Sequence, residues 1–289
     1  MNARSFIHVF LLTSLSLLAF AANSVLCRLA LGENVIDATG FTVIRLFSGA
    51  LVLCVLLLMK TRSQLDLRSA GSWKGSIYLA LYATAFSYAY VSVDTATGAL
   101  VLFATVQITM LLLGVLQGNR LSLIEGGGVA LAFTGLLYLL LPNVQTPSLL
   151  GFLLMVVSGI AWGLYSLNGR NSANPLLDTA GNFIRTLPLM LLLAVVLWSQ
   201  LNVSAYGFWL AVCSGALASA LGYTLWYKAL PLLRSTQAAV IQLLVPPIAT
   251  AGGVIFVGES LSMRLIIASV LTLGGILIVM LKPAVNKAA

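Results

Sequence analysis

Long stretches of uncharged, apolar residues follow one another along nearly the whole chain, each about 20 residues in length. A stretch of this length and composition crosses the hydrocarbon layer of a membrane as an α-helix. Of the 289 residues, 60% are hydrophobic and 8% are charged. That is too little charge for a water-facing surface, since about a quarter of the residues in soluble domains are charged. The sequence therefore predicts an all-α, multi-pass membrane protein.

Polar residues, glycines and prolines divide the apolar stretches into ten predicted transmembrane helices. They cover residues of about 7–31, 38–59, 75–93, 96–117, 121–141, 149–169, 179–198, 207–229, 235–257 and 262–281. Very short connections join the third span to the fourth and the ninth to the tenth, so a count of eight or nine is the alternative. Because the apolar runs are continuous and do not alternate with polar residues, a β-barrel is excluded.

Basic residues stand between the apolar runs and give the chain a net charge of +8. Lysine and arginine collect in the cytoplasmic loops of membrane proteins. With the N-terminus inside, most of them fall on the cytoplasmic side, so both termini are predicted to be cytoplasmic. No basic patch of the kind that binds nucleic acid is present, and no nucleic-acid partner is expected. The three cysteines have unrelated spacings, and neither a metal nor a cofactor is expected.

The two halves of the chain resemble each other. FAANSVLCR, residues 20–28, matches WGLYSLNGR, residues 162–170, with a serine at the fifth position and a final arginine. The second and seventh spans repeat three residues in the same order, with one residue of slippage: Asp37, Gly40 and Arg45 against Asp178, Gly181 and Arg185. These matches predict a duplicated five-helix unit, residues 1–143 and 144–289. Because five is odd, the second unit is inverted in the membrane, as in many secondary transporters.

One motif near the C-terminus points to a known family. The segment Gly258–Ser262 reads G-E-S-L-S and precedes a glycine-bearing last helix, while an arginine lies inside the second helix of each half. In these features the chain resembles the EamA-type branch of the drug/metabolite transporter superfamily. The resemblance implies ten helices in two EamA repeats, a central cavity, and export of small metabolites or amino acids. Phe20, Gln107 and Asn119 depart from the family pattern in the first half, which argues against full functional symmetry.

Polar and aromatic side chains at membrane depth are the candidates for solute binding. They are Asn23, Tyr78, Tyr82, Trp162, Tyr165, Ser219, Tyr223 and Gln242. Several are three or four residues apart, and such residues share one face of a helix. A pocket with aromatic walls and a few polar groups suits a small amphipathic molecule. For Tyr78 the alternative is the aromatic belt at the membrane interface, and for Asn23 it is a hydrogen bond between helices.

Two arginines and two prolines form a second group of candidates. Arg45 and Arg185 lie one to two turns inside their spans, where a charge is costly and usually faces the protein interior or water. They either bind an anion or gate the pathway, or they hold the repeat together. The structural role is favoured because both halves keep the arginine on opposite membrane faces. Pro246 and Pro247 interrupt the ninth span and form a candidate hinge.

These features predict a carrier that exports small, uncharged or zwitterionic amphipathic solutes, amino acids most plausibly, across a bacterial inner membrane. No acidic residue lies in the middle of a span, which argues against a proton-coupled pump for lipophilic cations. Organic anions such as sugar phosphates, bound by Arg45 and Arg185, are the first alternative. A membrane protein that assembles with partners and transports nothing is the second. No catalytic group is evident, so no enzyme is expected, and a monomer is a plausible functional unit.

Overall fold

The computed structural model describes residues 3–60, 70–116, 122–141, 147–169, 172, 174–229, 232–233 and 241–281. Over these residues the protein is helical, and its helices are α1 (Ala3–Gly32), α2 (Ala38–Lys60), α3 (Trp73–Tyr90), α4 (Thr95–Leu116), α5 (Leu123–Leu139), α6 (Leu149–Gly169), α7 (Pro175–Val196), α8 (Ala205–Cys213), α9 (Gly222–Ala229), α10 (Val245–Gly252) and α11 (Met263–Leu281). A π-helical segment, π1 (Ser214–Leu221), joins α8 to α9, and a second, π2 (Gly253–Val257), continues α10.

Six helical segments of the described chain are long and apolar enough to cross a membrane. They are Ile7–Gly32, Ala38–Lys60, Thr95–Leu116, Leu149–Gly169, Pro175–Val196 and Ala205–Trp226. Three further apolar helices are shorter: Leu123–Leu139, Val245–Val257 and Met263–Val279. The prediction of a helical, multi-pass membrane protein is thereby confirmed. The count of ten spans, the inverted repeat and the position of the termini stay predictions.

The outward face of α2 shows why the bundle suits lipid. Phe47, Leu51, Val55 and Leu58 recur every three or four residues and are 47–67% exposed. On a water-facing helix such a stripe would carry charged residues, whereas apolar residues all round a helix are typical of a membrane span. The opposite face, which includes Leu53, is buried in the bundle core.

Small residues let the helices approach closely at several crossings. Gly128 of α5 and Gly275 of α11 face each other, and a Cβ on either would come within 2.7 Å of the other's carbonyl oxygen. Gly215 in π1 lies so close to α2 that a Cβ there would collide with the carbonyl of Arg45. Such contacts replace the hydrophobic effect as the main attraction between helices in lipid. They bring π1 against α2 in the middle of the bundle.

Two aspartates make matching contacts in the two halves. Asp37, just before α2, accepts hydrogen bonds from the backbone N–H of Gly40 at 2.8 Å and of Asn202 at 2.9 Å. Asp178, in the first turn of α7, accepts one from the backbone N–H of Gly71 at 2.9 Å. The start of α2 is thus attached to the connection between α7 and α8. Reciprocally, the start of α7 is attached to the connection between α2 and α3.

The two prolines of the candidate hinge lie at the start of a helix. Pro246 and Pro247 lie in the first turn of α10, directly after a turn at residues 243–244. In the first turn a proline removes no intrahelical hydrogen bond, because the donors there have no partner within the helix. Their role as a hinge stays a prediction. Pro188, which the sequence analysis overlooked, lies inside α7 and does remove such a bond.

Candidate functional site

A small cavity of about 20 Å³ lies in the middle of the bundle, between residues of both halves of the chain. It is lined by Phe20, Asn23, Ser24, Tyr82, Phe86, Leu102, Phe103, Trp162, Ala218 and Tyr223. A volume of this size holds about one water molecule, whereas sites for drug-sized ligands enclose about 300–1,000 Å³. The cavity must therefore widen before an organic solute enters it.

The cavity wall is an aromatic cluster centred on Trp162 of α6. The Trp162 ring lies 4.8 Å from that of Tyr82 on α3 and 4.9 Å from that of Tyr223 on α9, measured between ring centroids. Phe20 of α1 closes the other side, 5.9 Å from Tyr223. These separations fall in the range where aromatic rings attract each other. Four helices of the bundle thus meet through aromatic side chains.

Arg45 connects this cluster to the second half of the chain. It is 1% exposed; its Nε donates to the Ser219 hydroxyl at 3.3 Å, and its Nη2 donates to the Tyr82 hydroxyl at 3.2 Å. The guanidinium carbon lies 4.9 Å from the centroid of the Phe86 ring and 5.4 Å from that of Tyr82. At these distances the ring faces attract the cation. Tyr82 and Phe86 also line the cavity, so Arg45 lies directly behind its wall.

No acidic side chain of the described residues pairs with Arg45. The ion pairs found there both involve Arg28. The Nη1 of Arg45 is buried and has no hydrogen-bond partner in the same part of the chain. A charged side chain at the centre of a span costs about 2.5–3.5 kcal/mol on insertion scales. Two hydroxyls and two ring faces offset part of this cost, and the cation keeps a free donor.

Asn23 lies at the cavity and also forms a hydrogen bond between two helices. It lines the cavity, and its Oδ1 accepts a hydrogen bond from the Ser214 hydroxyl of π1 at 2.6 Å. The bond joins α1 to π1 beside the cavity, since Ala218 of the same segment lines it. The amide therefore links two helices while it faces the enclosed space.

The remaining candidates do not line the cavity. Tyr165 is buried, with its ring 5.5 Å from that of Trp162, but it does not line the space. Tyr78 is half-buried against the core one helical turn before Tyr82. Gln242 is half-buried before α10, and no contact described in the structure joins it to the cluster.

Arg185 occupies an environment unlike that of Arg45. Its Nη1 donates to the backbone carbonyl of Ala70, which precedes α3. Gly181, one turn earlier on α7, also faces Ala70, because a Cβ there would collide with the Ala70 carbonyl. Arg185 therefore contacts a connection at one end of the bundle, away from the central cavity. Arg45, by contrast, contacts Tyr82 and Phe86, which line the cavity.

A polar cluster closes the bundle at the end where α1 terminates. Glu259 Oε1 accepts hydrogen bonds from the Thr95 backbone N–H at 2.7 Å and from the Thr95 hydroxyl at 2.8 Å. Arg28 of α1 lies 3.7 Å from the same carboxylate oxygen and 3.2 Å from Asp94. We call these four residues the end latch. The glutamate of the G-E-S-L-S motif thus joins the start of α11 to α1 and α4.

At the same end of the bundle, a cleft of about 540 Å³ opens between α1, α2, α3 and α6. Tyr88 lines it and shares a 2.7 Å hydrogen bond with Thr39. Tyr88 is six residues beyond Tyr82 on α3, or about 9 Å along the helix axis. Further along α3, Phe86 lines the cavity, and its ring lies 4.7 Å from that of Tyr90.

Sequence reasoning missed several residues of this site. Phe86, Ser24, Leu102, Phe103 and Ala218 line the cavity but were not among the candidates. One signal was available for Phe86, because Tyr78, Tyr82, Phe86 and Tyr90 recur every four residues and so share a face of α3. The aliphatic members carry no such signal, since nothing in their type distinguishes them from other core residues.

Comparison with known proteins agrees with this architecture. The EamA-like transporter family matches residues 149–281 of the chain. An uncharacterized protein of Pseudomonas aeruginosa is 50% identical over 279 residues, which cover 96% of either chain. One crystal structure of a protein resembles the fold with a TM-score of 0.64 at 20% identity, covering 92% of this chain and 97% of that one.

Proposed function

This chain belongs to the EamA-like transporter family, and on that premise we propose that it exports small amphipathic solutes, in particular amino acids, across the inner membrane. The solute binds in the central cavity, and the two halves of the chain move relative to each other to expose it on one side at a time. The observation that carries the proposal is the position of the cavity. It lies in the middle of the bundle between residues of both halves, with aromatic walls and few polar groups.

Reciprocal packing supports an inverted repeat as the basis of this movement. In such a repeat α1 corresponds to α6, and α3 to the rod formed by α8, π1 and α9. α3 packs on α6, and that rod packs on α1. α2 packs on α7 and α5 packs on α11, as expected of elements related to each other by a two-fold axis. The matching contacts of Asp37 and Asp178 agree with the same relation.

The small cavity and the end latch support a closed form of the carrier. By the distribution of lysine and arginine, the latch lies on the outer side of the membrane. Opening that side separates Glu259 from Thr95 and Arg28, which hold α11, α4 and α1 together. Closing it again permits the cavity to open inward, where the solute is loaded.

The test is counterflow exchange in proteoliposomes loaded with amino acids, sugar phosphates or lipophilic cations. For Trp162→Ala we expect about a 30-fold loss of amino-acid exchange, because the substitution removes the aromatic residue at the centre of the cavity wall. Trp209→Ala is the matched control, since Trp209 lies 62% exposed on α8 and does not line the cavity. Equal exchange by both variants would place the solute elsewhere. Absence of any exchange by the folded native protein would favour an assembly role.

Transport of organic anions is the second candidate, and one observation favours it. Arg45 is a buried cation with no acidic partner among the described residues, directly behind the cavity wall. The form of this hypothesis in which Arg185 is a second ligand is weaker, because Arg185 donates to the Ala70 carbonyl. Exchange of sugar phosphates but not of amino acids in the same assay would select this candidate.

A further inference from the structure

We propose that Arg45 binds the carboxylate group of the transported solute and that the solutes are monocarboxylates with an apolar or zwitterionic remainder. This inference rests on the proposed carrier function and specifies its substrate class. The binding group consists of the Arg45 guanidinium with the hydroxyls of Tyr82, Ser219 and Tyr223, which we call the carboxylate site.

Two hydrogen-bond donors of the carboxylate site lack a partner in the part of the chain that the structure describes. Arg45 uses Nε and Nη2 on two neutral hydroxyls, while its buried Nη1 has no partner among the described residues. The buried Tyr223 hydroxyl, which neighbours Tyr82, also lacks a hydrogen bond of normal geometry there. Buried polar groups in folded proteins are nearly always paired. Two orphaned donors beside a cavity therefore indicate a ligand that accepts hydrogen bonds.

The surroundings of Arg45 indicate the charge of the ligand. Arg45 has no acidic partner in the described part of the chain, and no residue that lines the cavity there is charged. One anionic group neutralises the site. A carboxylate carries a single charge and fits the planar fork of a guanidinium with two parallel hydrogen bonds. A phosphate monoester carries nearly two charges at neutral pH and would leave one of them unpaired in the bundle.

The rest of the cavity wall indicates the chemistry of the remainder of the solute. Phe20, Leu102 and Phe103 provide an apolar wall, while Asn23 and Ser24 provide neutral oxygen acceptors. An aromatic or aliphatic side chain of the solute fits such a wall. An amino group of the solute can donate hydrogen bonds to these acceptors, but no carboxylate of the described cavity wall pairs with it. The site therefore accepts a carboxylate with or without an amino group, and it gives no counter-ion to a lipophilic cation.

The spacing between glycine and arginine differs between the two halves. Gly40 and Gly181 each face the connection that the other half contributes, near Val203 and Ala70 respectively. Arg185 follows Gly181 by four residues and so lies on the same helix face, whereas Arg45 follows Gly40 by five. One extra residue turns a side chain by about 100° around the helix. Arg45 is thereby directed into the bundle, where no carbonyl of a connection takes up its charge.

The experiment measures binding and exchange with three related solutes. Phenylalanine keeps the carboxylate, phenylalaninamide lacks its charge, and 3-phenylpropionate lacks the amino group. For the purified native protein we expect thermal stabilisation by phenylalanine and 3-phenylpropionate but not by the amide. In proteoliposomes we expect the same order of counterflow rates. Because these comparisons use the native protein, they do not depend on whether a variant folds.

Variants then assign the effect to Arg45. Arg45→Gln should lower carboxylate exchange at least about 30-fold, as expected when one partner of a buried charge pair is removed. Arg45→Lys should recover only part of it, because an ammonium cannot form the planar fork. Arg185→Gln is the matched control and should keep the native preference for carboxylate over amide.

Each remaining outcome overturns one of the two proposals. Equal exchange of phenylalanine and phenylalaninamide, or exchange of phosphate esters or lipophilic cations alone, refutes the carboxylate site and leaves a carrier. A carboxylate preference that Arg45→Gln retains refutes the assignment to Arg45. A folded protein that exchanges no member of the full solute panel refutes the carrier function itself, and the inference with it.

Discussion

Arg45 and Arg185 hold similar positions in the sequences of the two halves, yet their contacts in the structure differ. Arg185 donates to a backbone carbonyl in the α2–α3 connection, where it stabilises the attachment of one half to the other. Arg45 lies between hydroxyls and ring faces beside the central cavity and keeps an unpaired donor. If the two halves are copies of one unit, as proposed, one arginine contacts a connection of the bundle and the other keeps a donor that a ligand can use. Three predictions test this difference, in order of decreasing effect.

The largest effect should follow from moving the arginine by one residue. In Ile44→Arg/Arg45→Ile, the arginine lies four residues after Gly40, the spacing that directs Arg185 to a connection. We expect the protein to fold, and carboxylate exchange to fall at least about 30-fold, because the cation no longer reaches Tyr82 and Ser219. Counterflow and size-exclusion profiles provide the measurement. Native exchange rates in this variant would show that the helix face of the arginine does not matter.

The second effect concerns stability in the absence of solute. Arg185→Met should lower the free energy of unfolding by about 1.5–3 kcal/mol, since it removes a charged donor from a carbonyl. Arg45→Met should change it by less than about 1 kcal/mol, because removing a poorly compensated buried charge offsets the loss of its hydrogen bonds. Equilibrium unfolding in mixed micelles measures both values. Equal losses in the two variants would contradict the assignment of different roles.

The smallest effect concerns the end latch. Glu259→Gln keeps the shape of the side chain but removes its attraction to Arg28, a partly buried pair that contributes about 1 kcal/mol. We expect Cys27, which is fully buried next to Arg28, to react about fivefold faster with a membrane-impermeant thiol reagent. The measurement uses a chain in which Cys54 and Cys213 are replaced. Asp94→Asn serves as a comparison, because Asp94 is 64% exposed and should contribute less. An unchanged labelling rate would show that the end latch does not limit the opening of this end of the bundle.

Much of the architecture was accessible from the sequence alone. Continuous apolar runs predict helices in lipid, since no other open structure satisfies backbone hydrogen bonds there. Mid-span aromatics and polar residues predicted a central site, and Asn23, Tyr82, Trp162 and Tyr223 do line one cavity. The aliphatic residues of that cavity were not predictable, because their type does not separate a cavity wall from ordinary core. The π-helical segment that carries Ser219 was equally hidden, since nothing in its residue types distinguishes it from an ordinary α-helix.

Arg45 and Arg185 show which features follow from the sequence and which follow only from the tertiary structure. By itself, the sequence predicted that both arginines lie inside apolar spans and determined that their distances from Gly40 and Gly181 differ by one residue. It could not show which residues contact each arginine, because those residues come from distant parts of the chain. They are Ala70 for Arg185, and Tyr82 and Ser219 for Arg45. Only the packing of α3, α7 and π1 decided that one cation meets a carbonyl and the other a cavity wall. A helix sets the direction of a side chain, but the bundle sets its partner.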